Sequence, residues 1–123
     1  MQTEDLVLLQ WDSVVAQSLV AALSSSFRSI HHVSSLDEVR NSIAKHRSTI
    51  AILDIERASF ADVERLVREF PAASIVCTHR CADEHMWTAA LGAGASDLLP
   101  SFDTRGIVQA ALKTGIAARS VAA

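Results

Sequence analysis

Five short apolar segments alternate with five segments of helical periodicity along the 123 residues of the chain. The clearest apolar segment, residues 49–54, is rich in β-branched and aliphatic side chains, as is typical of a strand buried on both faces. Strands and helices that alternate at this spacing form right-handed βαβ crossovers and a mostly parallel sheet. The sequence therefore predicts one three-layer α/β/α domain over residues 1–123, with strands at residues 5–10, 29–33, 49–54, 73–78 and 95–99.

The predicted helices begin and end at residues with known capping preferences. Ser35, followed by Glu38, has the spacing of a capping box, and Ser59 precedes the third helix. Asp83 precedes the fourth helix, and Gly92 and Gly94 close it, both suited to a left-handed C-terminal cap. These signals support helices between all the predicted strands.

The composition argues against several classes of protein. A net charge of −3 and a pI of about 5.9 do not favour a nucleic-acid-binding surface. No apolar run approaches the roughly 20 residues of a membrane-spanning helix, and the polar first residues do not resemble a signal peptide. Two cysteines in a chain with a large core require no disulfide. We expect a cytoplasmic protein without membrane or nucleic-acid partners.

Asp54 ends the third predicted strand, at the sheet edge where open parallel α/β sheets bind ligands. With the order of elements and the stretch Gly-Ala-Ser-Asp-Leu-Leu at residues 94–99, this position makes the chain up to about Ala118 resemble the receiver domain of two-component response regulators. The resemblance implies a flavodoxin-like sheet of order 2-1-3-4-5. It also implies that Asp54 accepts a phosphoryl group from a sensor histidine kinase.

The sequence departs from the receiver pattern at the groups that assist this transfer. Family members carry two acids after the first strand, which hold Mg²⁺ together with the acceptor, and a lysine after the fifth strand. Here Gln10 and Trp11 stand at the acid positions, and Ser101 stands at the lysine position. Loss of one such electrostatic group typically slows a reaction by about two to three orders of magnitude. We therefore interpret the chain as an atypical, pseudo-receiver signalling module that acts through protein–protein interaction, with weak or no standard phosphorylation, and not as an enzyme.

The alternative is a phosphorylatable regulator with a non-standard Mg²⁺ site. The residues available for such a site are Asp12, Asp54 and Glu56, although Asp12 also suits a helix cap and Glu56 an exposed loop. Without its helpers, Asp54 is equally consistent with a phosphoacceptor and with an inherited loop carboxylate.

Three further residues are expected to face the phosphorylation site: Thr78, His79 and Ser101. Counting back from Gly94 without a gap places His79, rather than Thr78, at the hydroxyl position of the family. Arg57 offers a substitute cation, but an arginine three residues after a strand is usually solvated.

The sequence leaves two positions open for each tryptophan. It also leaves two roles open for the adjacent residues His31 and His32. Trp11 either fills the space of the missing ion or lies on the surface, and Trp87 belongs either to the core or to a homodimer face on the fourth helix. His31 and His32 fit solvent exposure better than a pH-sensing role.

The sequence gives little support for a structural zinc site or for a flavin or nucleotide site. Cys77, His79, Cys81 and His85 do not match structural zinc spacings. A flavin or nucleotide site is disfavoured because residues 10–14 lack a glycine-, serine- or threonine-rich phosphate loop.

Overall fold

The computed structural model describes the backbone of residues 4–122 and the side chains of residues 4–114. Five strands and five helices alternate, as the sequence predicts. They are β1 (Asp5–Leu9), α1 (Ser13–Leu23), β2 (Ser29–Val33), α2 (Leu36–His46), β3 (Ile50–Asp54), α3 (Phe60–Glu69), β4 (Ser74–His79), α4 (Glu84–Gly92), β5 (Asp97–Pro100) and α5 (Thr104–Ala122).

The strands form one parallel sheet in the order β2-β1-β3-β4-β5. This order confirms the predicted flavodoxin-like topology, including the edge position of β2. Every residue of the central strands β1 and β3 is buried, because helices cover both faces of a sheet of this kind. Asp54 is the last residue of β3, and the register places it directly opposite Thr78 on β4.

Alternating side chains along the strands build two hydrophobic cores, one on each face of the sheet. Val7 and Leu9 point into the core shared with α2, α3 and α4, whereas Leu6 and Leu8 point into the core shared with α1 and α5. Burial of each such aliphatic side chain contributes about 1.5–3 kcal/mol relative to exposure. Packing of these two cores holds the strands in place and so positions the polar side chains at the strand ends.

The predicted helix caps are confirmed. The Ser35 side chain accepts the Glu38 backbone N–H, and Ser59 forms a reciprocal capping box with Asp62. Gly94 has a φ of 103°, and a Cβ atom at this position would lie 3.0 Å from Val67 Cγ1. Glycine is therefore required at this turn, both by backbone conformation and by space.

The fourth helix differs from the prediction of a core tryptophan. Ala90 is the only residue of α4 that is buried, and the Trp87 side chain is 44% exposed. The core interpretation of Trp87 is therefore wrong; Ala90 and Met86 are the residues of α4 that pack into the core. Within the described part of the chain, no helix combines the length and the apolar character needed to cross a membrane.

Candidate functional site

Four buried polar side chains lie at or just beyond the carboxyl ends of the inner strands and β5. Gln10, Asp54, Thr78 and Ser101 are between 0% and 4% exposed. Within the described residues, each has a side-chain atom without a hydrogen-bond partner: Gln10 Nε2, Asp54 Oδ2, Thr78 Oγ1 and Ser101 Oγ. Buried polar atoms are normally paired. Their concentration here marks this edge as the candidate site.

The Asp54 carboxyl is held at one oxygen and unpaired at the other. Its Oδ1 accepts the Glu56 backbone N–H at 3.0 Å, whereas Oδ2 makes no hydrogen bond to the described residues. Burial raises the pKa of Asp54 above its ordinary value, and the Glu56 charge adds to this rise. The Glu56 amide, His79 and the Gln10 side chain oppose it. Burial is the largest cause of the raised pKa, so the ionised form of Asp54 destabilises the folded state.

Gln10 takes part in fixing the β1–α1 loop. Its Oε1 accepts the Asp12 backbone N–H at 3.0 Å, and its backbone oxygen lies 2.9 Å from His32 Nε2. The amide is close enough to Asp54 to lower the pKa of that carboxyl, but Nε2 does not reach hydrogen-bond geometry. Gln10 therefore presents a neutral donor to Asp54, and its oxygen is already used within the loop.

The side chains of Arg57 and Arg80 lie over the Trp11 ring at the opening of the site. The guanidinium carbons of Arg57 and Arg80 lie 5.3 and 5.4 Å from the centroid of the Trp11 ring, within the range of cation–π attraction. Arg80 Nε also donates to Glu56 Oε1 at 2.9 Å. Arg57 is exposed, as expected of a solvated arginine, and its guanidinium also lies over the Trp11 ring. Arg80 was missed, although its place directly after β4 was a usable signal.

A cleft of about 270 Å³ lies over these groups. Its walls include Gln10, Trp11, His32, Ser34, Asp54 and Arg57. The Asp54 carboxyl therefore lies in the wall of a cleft that also carries the Arg57 guanidinium and the Ser34 hydroxyl.

The acids proposed for Mg²⁺ do not form a donor set for this ion, which prefers several oxygen ligands. Asp12 Oδ1 accepts the N–H groups of Val14 and Val15 at 2.9 and 3.2 Å, so Asp12 caps α1. The Glu56 side chain is 13% exposed and pairs with Arg80, so its description as an exposed loop acid is wrong. Among the described side chains, Asp12, Asp54 and Glu56 do not bring three ligand atoms within 4.8 Å of one another. Asp12 and Glu56 are therefore engaged in other contacts, and the described side chains do not supply the three-carboxylate cluster expected for Mg²⁺.

The three predicted facing residues have different positions. Thr78 is buried, and its Cα pairs with that of Asp54 in the register of the two strands. His79 ends β4, is half-buried, and accepts the Cys81 backbone N–H at Nδ1. Ser101 is fixed by a backbone hydrogen bond to the His79 oxygen at 3.1 Å.

The cysteines near this edge do not extend the site. Cys77 is buried in β4, and burial raises the pKa of its thiol to about 12. Cys81 is exposed, and in the described part of the chain the two cysteines do not group with His79 and His85 as metal ligands.

The comparisons with known proteins agree with this architecture. No protein-family model and no curated protein sequence matches the chain.

Three similar solved structures cover nearly the whole domain. The signal receiver domain of the putative response regulator NarL from Mycobacterium tuberculosis is 21% identical, with a TM-score of 0.77 over 92% of this chain and 96% of that one. A putative response regulator from Chloroflexus aurantiacus is 18% identical, with a TM-score of 0.79 over 92% and 98%. An atypical orphan response regulator protein is 12% identical, with a TM-score of 0.78 over 89% and 93%. The five-stranded sheet, its order and these likenesses together identify the fold of the chain as that of response-regulator receiver domains.

Proposed function

We propose that the chain is a signalling module whose output is contact with another protein, and whose state is not set by standard phosphoryl transfer to Asp54. The observation that carries the proposal is the pair Gln10 and Trp11. Gln10 Oε1 is used by the Asp12 amide, and the Trp11 ring is stacked with Arg57 and Arg80. An acid pair at these positions would recruit a cation, whereas here the Gln10 oxygen and the Trp11 ring are engaged within the protein.

The surroundings of Asp54 support the same conclusion. Burial already disfavours its charged form, and a receiver acceptor reacts as a carboxylate assisted by Mg²⁺ and a lysine. Ser101 at the lysine position is neutral and 2% exposed. The atypical orphan regulator with a similar fold is described as having a phosphorylation-independent regulatory mechanism. A mechanism of that kind is what we propose for this chain, and it assigns the chain no catalytic reaction.

The surface proposed for docking is centred on Trp87 of α4. Its ring is 44% exposed and is oriented by a hydrogen bond from Nε1 to Asp97 Oδ1, at 3.2 Å, on β5. A large, oriented aromatic side chain on the surface is a favourable anchor for a protein partner. We propose that the partner is a protein, with a second copy of the chain as the first candidate.

The docking proposal is tested by the molar mass of the purified chain, measured by light scattering over a wide range of protein concentration. We expect self-association without a phosphodonor, weakened about tenfold or more by Trp87→Ala. Val14→Ala, at a 71% exposed site on α1, is the matched control and should associate like the wild type. A wild type that stays monomeric at every concentration contradicts the homodimer form of the proposal.

A phosphorylatable Asp54 is the second candidate function, with a sensor histidine kinase as the partner. The unpaired Asp54 Oδ2 and Thr78 Oγ1 favour it, since a phosphoryl group could use both. In this mechanism Arg57, which lines the same cleft, supplies the cation that Ser101 lacks.

A further inference from the structure

A second cluster of polar side chains lies at the opposite, amino edge of the sheet. Asp5 at the start of β1 and His46 at the end of α2 lie there, His31 reaches them from the middle of β2, opposite Val7, and their ligand atoms lie within 4.8 Å of one another. At a strand rise of about 3.3 Å per residue, Asp5 is about 13 Å along β1 from Leu9, where the strand reaches the edge that carries Asp54. The cluster is therefore separate from the candidate site.

The distances in this cluster are close to those of a tetrahedral metal site. Asp5 Oδ2 lies 3.4 Å from His31 Nε2 and 3.6 Å from His46 Nδ1. Ligands at about 2.0–2.1 Å from a tetrahedral Zn²⁺ ion are about 3.3 Å apart. These two separations exceed that value by a few tenths of an ångström, and the two imidazole nitrogens lie within 4.8 Å of each other.

The Asp5 carboxylate is oriented in the way that metal-binding carboxylates usually are. Arg28 Nε donates to Oδ1 at 2.9 Å, which leaves Oδ2 directed at the two imidazoles. Outer hydrogen bonds of this kind fix ligand orientation in metal sites. Arg28 also lowers the pKa of Asp5, so the carboxylate is ionised near neutral pH.

The cluster is only partly buried, so a metal ion can reach it from solvent. Asp5 is 8% exposed, while the His31 and His46 side chains are 26% and 27% exposed. The expectation that His31 is simply solvent-exposed is therefore wrong. The two rings stack with centroids 3.7 Å apart and planes within 9° of parallel, so one ring must turn for both nitrogens to point at one ion. His46 is the last residue of α2 and is the natural one to turn.

We propose that Asp5, His31 and His46 form a site for one divalent transition-metal ion of the Zn²⁺ type, with water as the remaining ligand. Imidazole nitrogen selects zinc and its neighbours over Mg²⁺. Such an ion links β1, β2 and α2 at the amino edge of the sheet. The proposal is independent of the function proposed for the Asp54 edge.

The test is a calorimetric titration of the tag-free chain with zinc chloride, in a Cys81→Ser background that removes the exposed thiol. We expect one ion per chain, and at least about tenfold weaker binding for His31→Gln and for His46→Gln. His32→Gln is the matched control, because its Nε2 contacts the Gln10 backbone oxygen instead of the cluster. Zinc should raise the thermal unfolding midpoint of the control but not that of the two cluster variants.

A second measurement requires no change in the cluster. In the histidine NMR spectrum of the same Cys81→Ser chain, zinc should shift the imidazole signals of His31 and His46 and leave those of His32 and His85 in place. Mg²⁺ at the same concentration should shift none of them. The proposal is overturned if zinc does not bind saturably at one ion per chain, or if the His31 and His46 variants bind it as tightly as the His32 control.

Discussion

Replacement of Asp54 by asparagine is predicted to stabilise the fold at neutral pH. Asp54 is fully buried, its Oδ2 has no hydrogen-bond partner among the described residues, and burial raises its pKa. An unpaired buried polar group costs about 1–3 kcal/mol, and more if charged. Asparagine keeps the Oδ1 acceptor for the Glu56 N–H and removes the charge. Because the Nδ2 of asparagine is left without a partner in the same place, only the difference between a charged and a neutral unpaired group is gained, and we expect Asp54→Asn to raise the free energy of unfolding by about 1 kcal/mol at pH 7.

The pH dependence of this gain follows from the direction of the shift. Because the folded-state pKa of Asp54 lies above its unfolded value, the folded protein takes up the proton first as the pH falls. The cost of the charge is complete above the folded-state pKa, and it disappears as the pH falls to the ordinary pKa of aspartate. The advantage of Asp54→Asn is therefore largest near neutral pH and declines towards pH 4. Titrating groups that do not interact with Asp54 are common to both proteins and cancel in the difference.

The assay is urea unfolding followed by circular dichroism at several pH values between 4 and 8. Asp37→Asn is the control, since the Asp37 side chain is 88% exposed and its replacement should change the stability by no more than about 0.5 kcal/mol. A destabilised Asp54→Asn protein at pH 7, or a gain that is the same at pH 4 and pH 7, refutes the reasoning.

Three further variants test other parts of the fold. Gly94→Ala should lower the free energy of unfolding by about 1–2 kcal/mol, because φ is 103° and the added methyl meets Val67; Gly92→Ala, with open space around its Cβ position, should not. Ser59→Ala removes the α3 capping box and should cost about 1 kcal/mol in chemical unfolding, whereas a loss under about 0.3 kcal/mol contradicts the cap. Asp5→Asn should destabilise the chain at pH 7, since Arg28 and His31 lower the pKa of Asp5. That pairing stabilises the fold above the ordinary pKa of aspartate and is lost as the pH falls through the folded-state value, so the two proteins should converge at the acid end of a pH series. A difference that persists unchanged at low pH would count against the pairing.

The fold could be predicted from the sequence because its signals are local. Apolar runs such as residues 49–54, caps such as Ser59 and the glycine at Gly94 each specify their own element. The alternation of elements then leaves few topologies. The error at Trp87 has the same origin, since helical periodicity does not show how little of a short helix meets the sheet.

The site was less predictable because its contacts join residues far apart in the chain. Glu56 pairs with Arg80 across 24 positions, and Asp5 meets His31 across 26. Such pairs depend on strand register, which also sets Thr78 opposite Asp54. The missing acids at Gln10 and Trp11 were visible in the sequence, whereas the stacking of Arg57 and Arg80 on Trp11 was not.

The central claim is that this receiver fold does not carry out standard phosphoryl transfer at Asp54. It is tested most directly by intact-mass measurement after incubation with a small acyl phosphate and Mg²⁺. Wild type and Asp54→Asn are compared, with a receiver domain that has the complete acid pair and lysine as the positive control. We predict a phosphoryl adduct on the positive control and none on either form of this chain. An adduct on the wild type that is absent from Asp54→Asn would contradict the claim and establish the second candidate function.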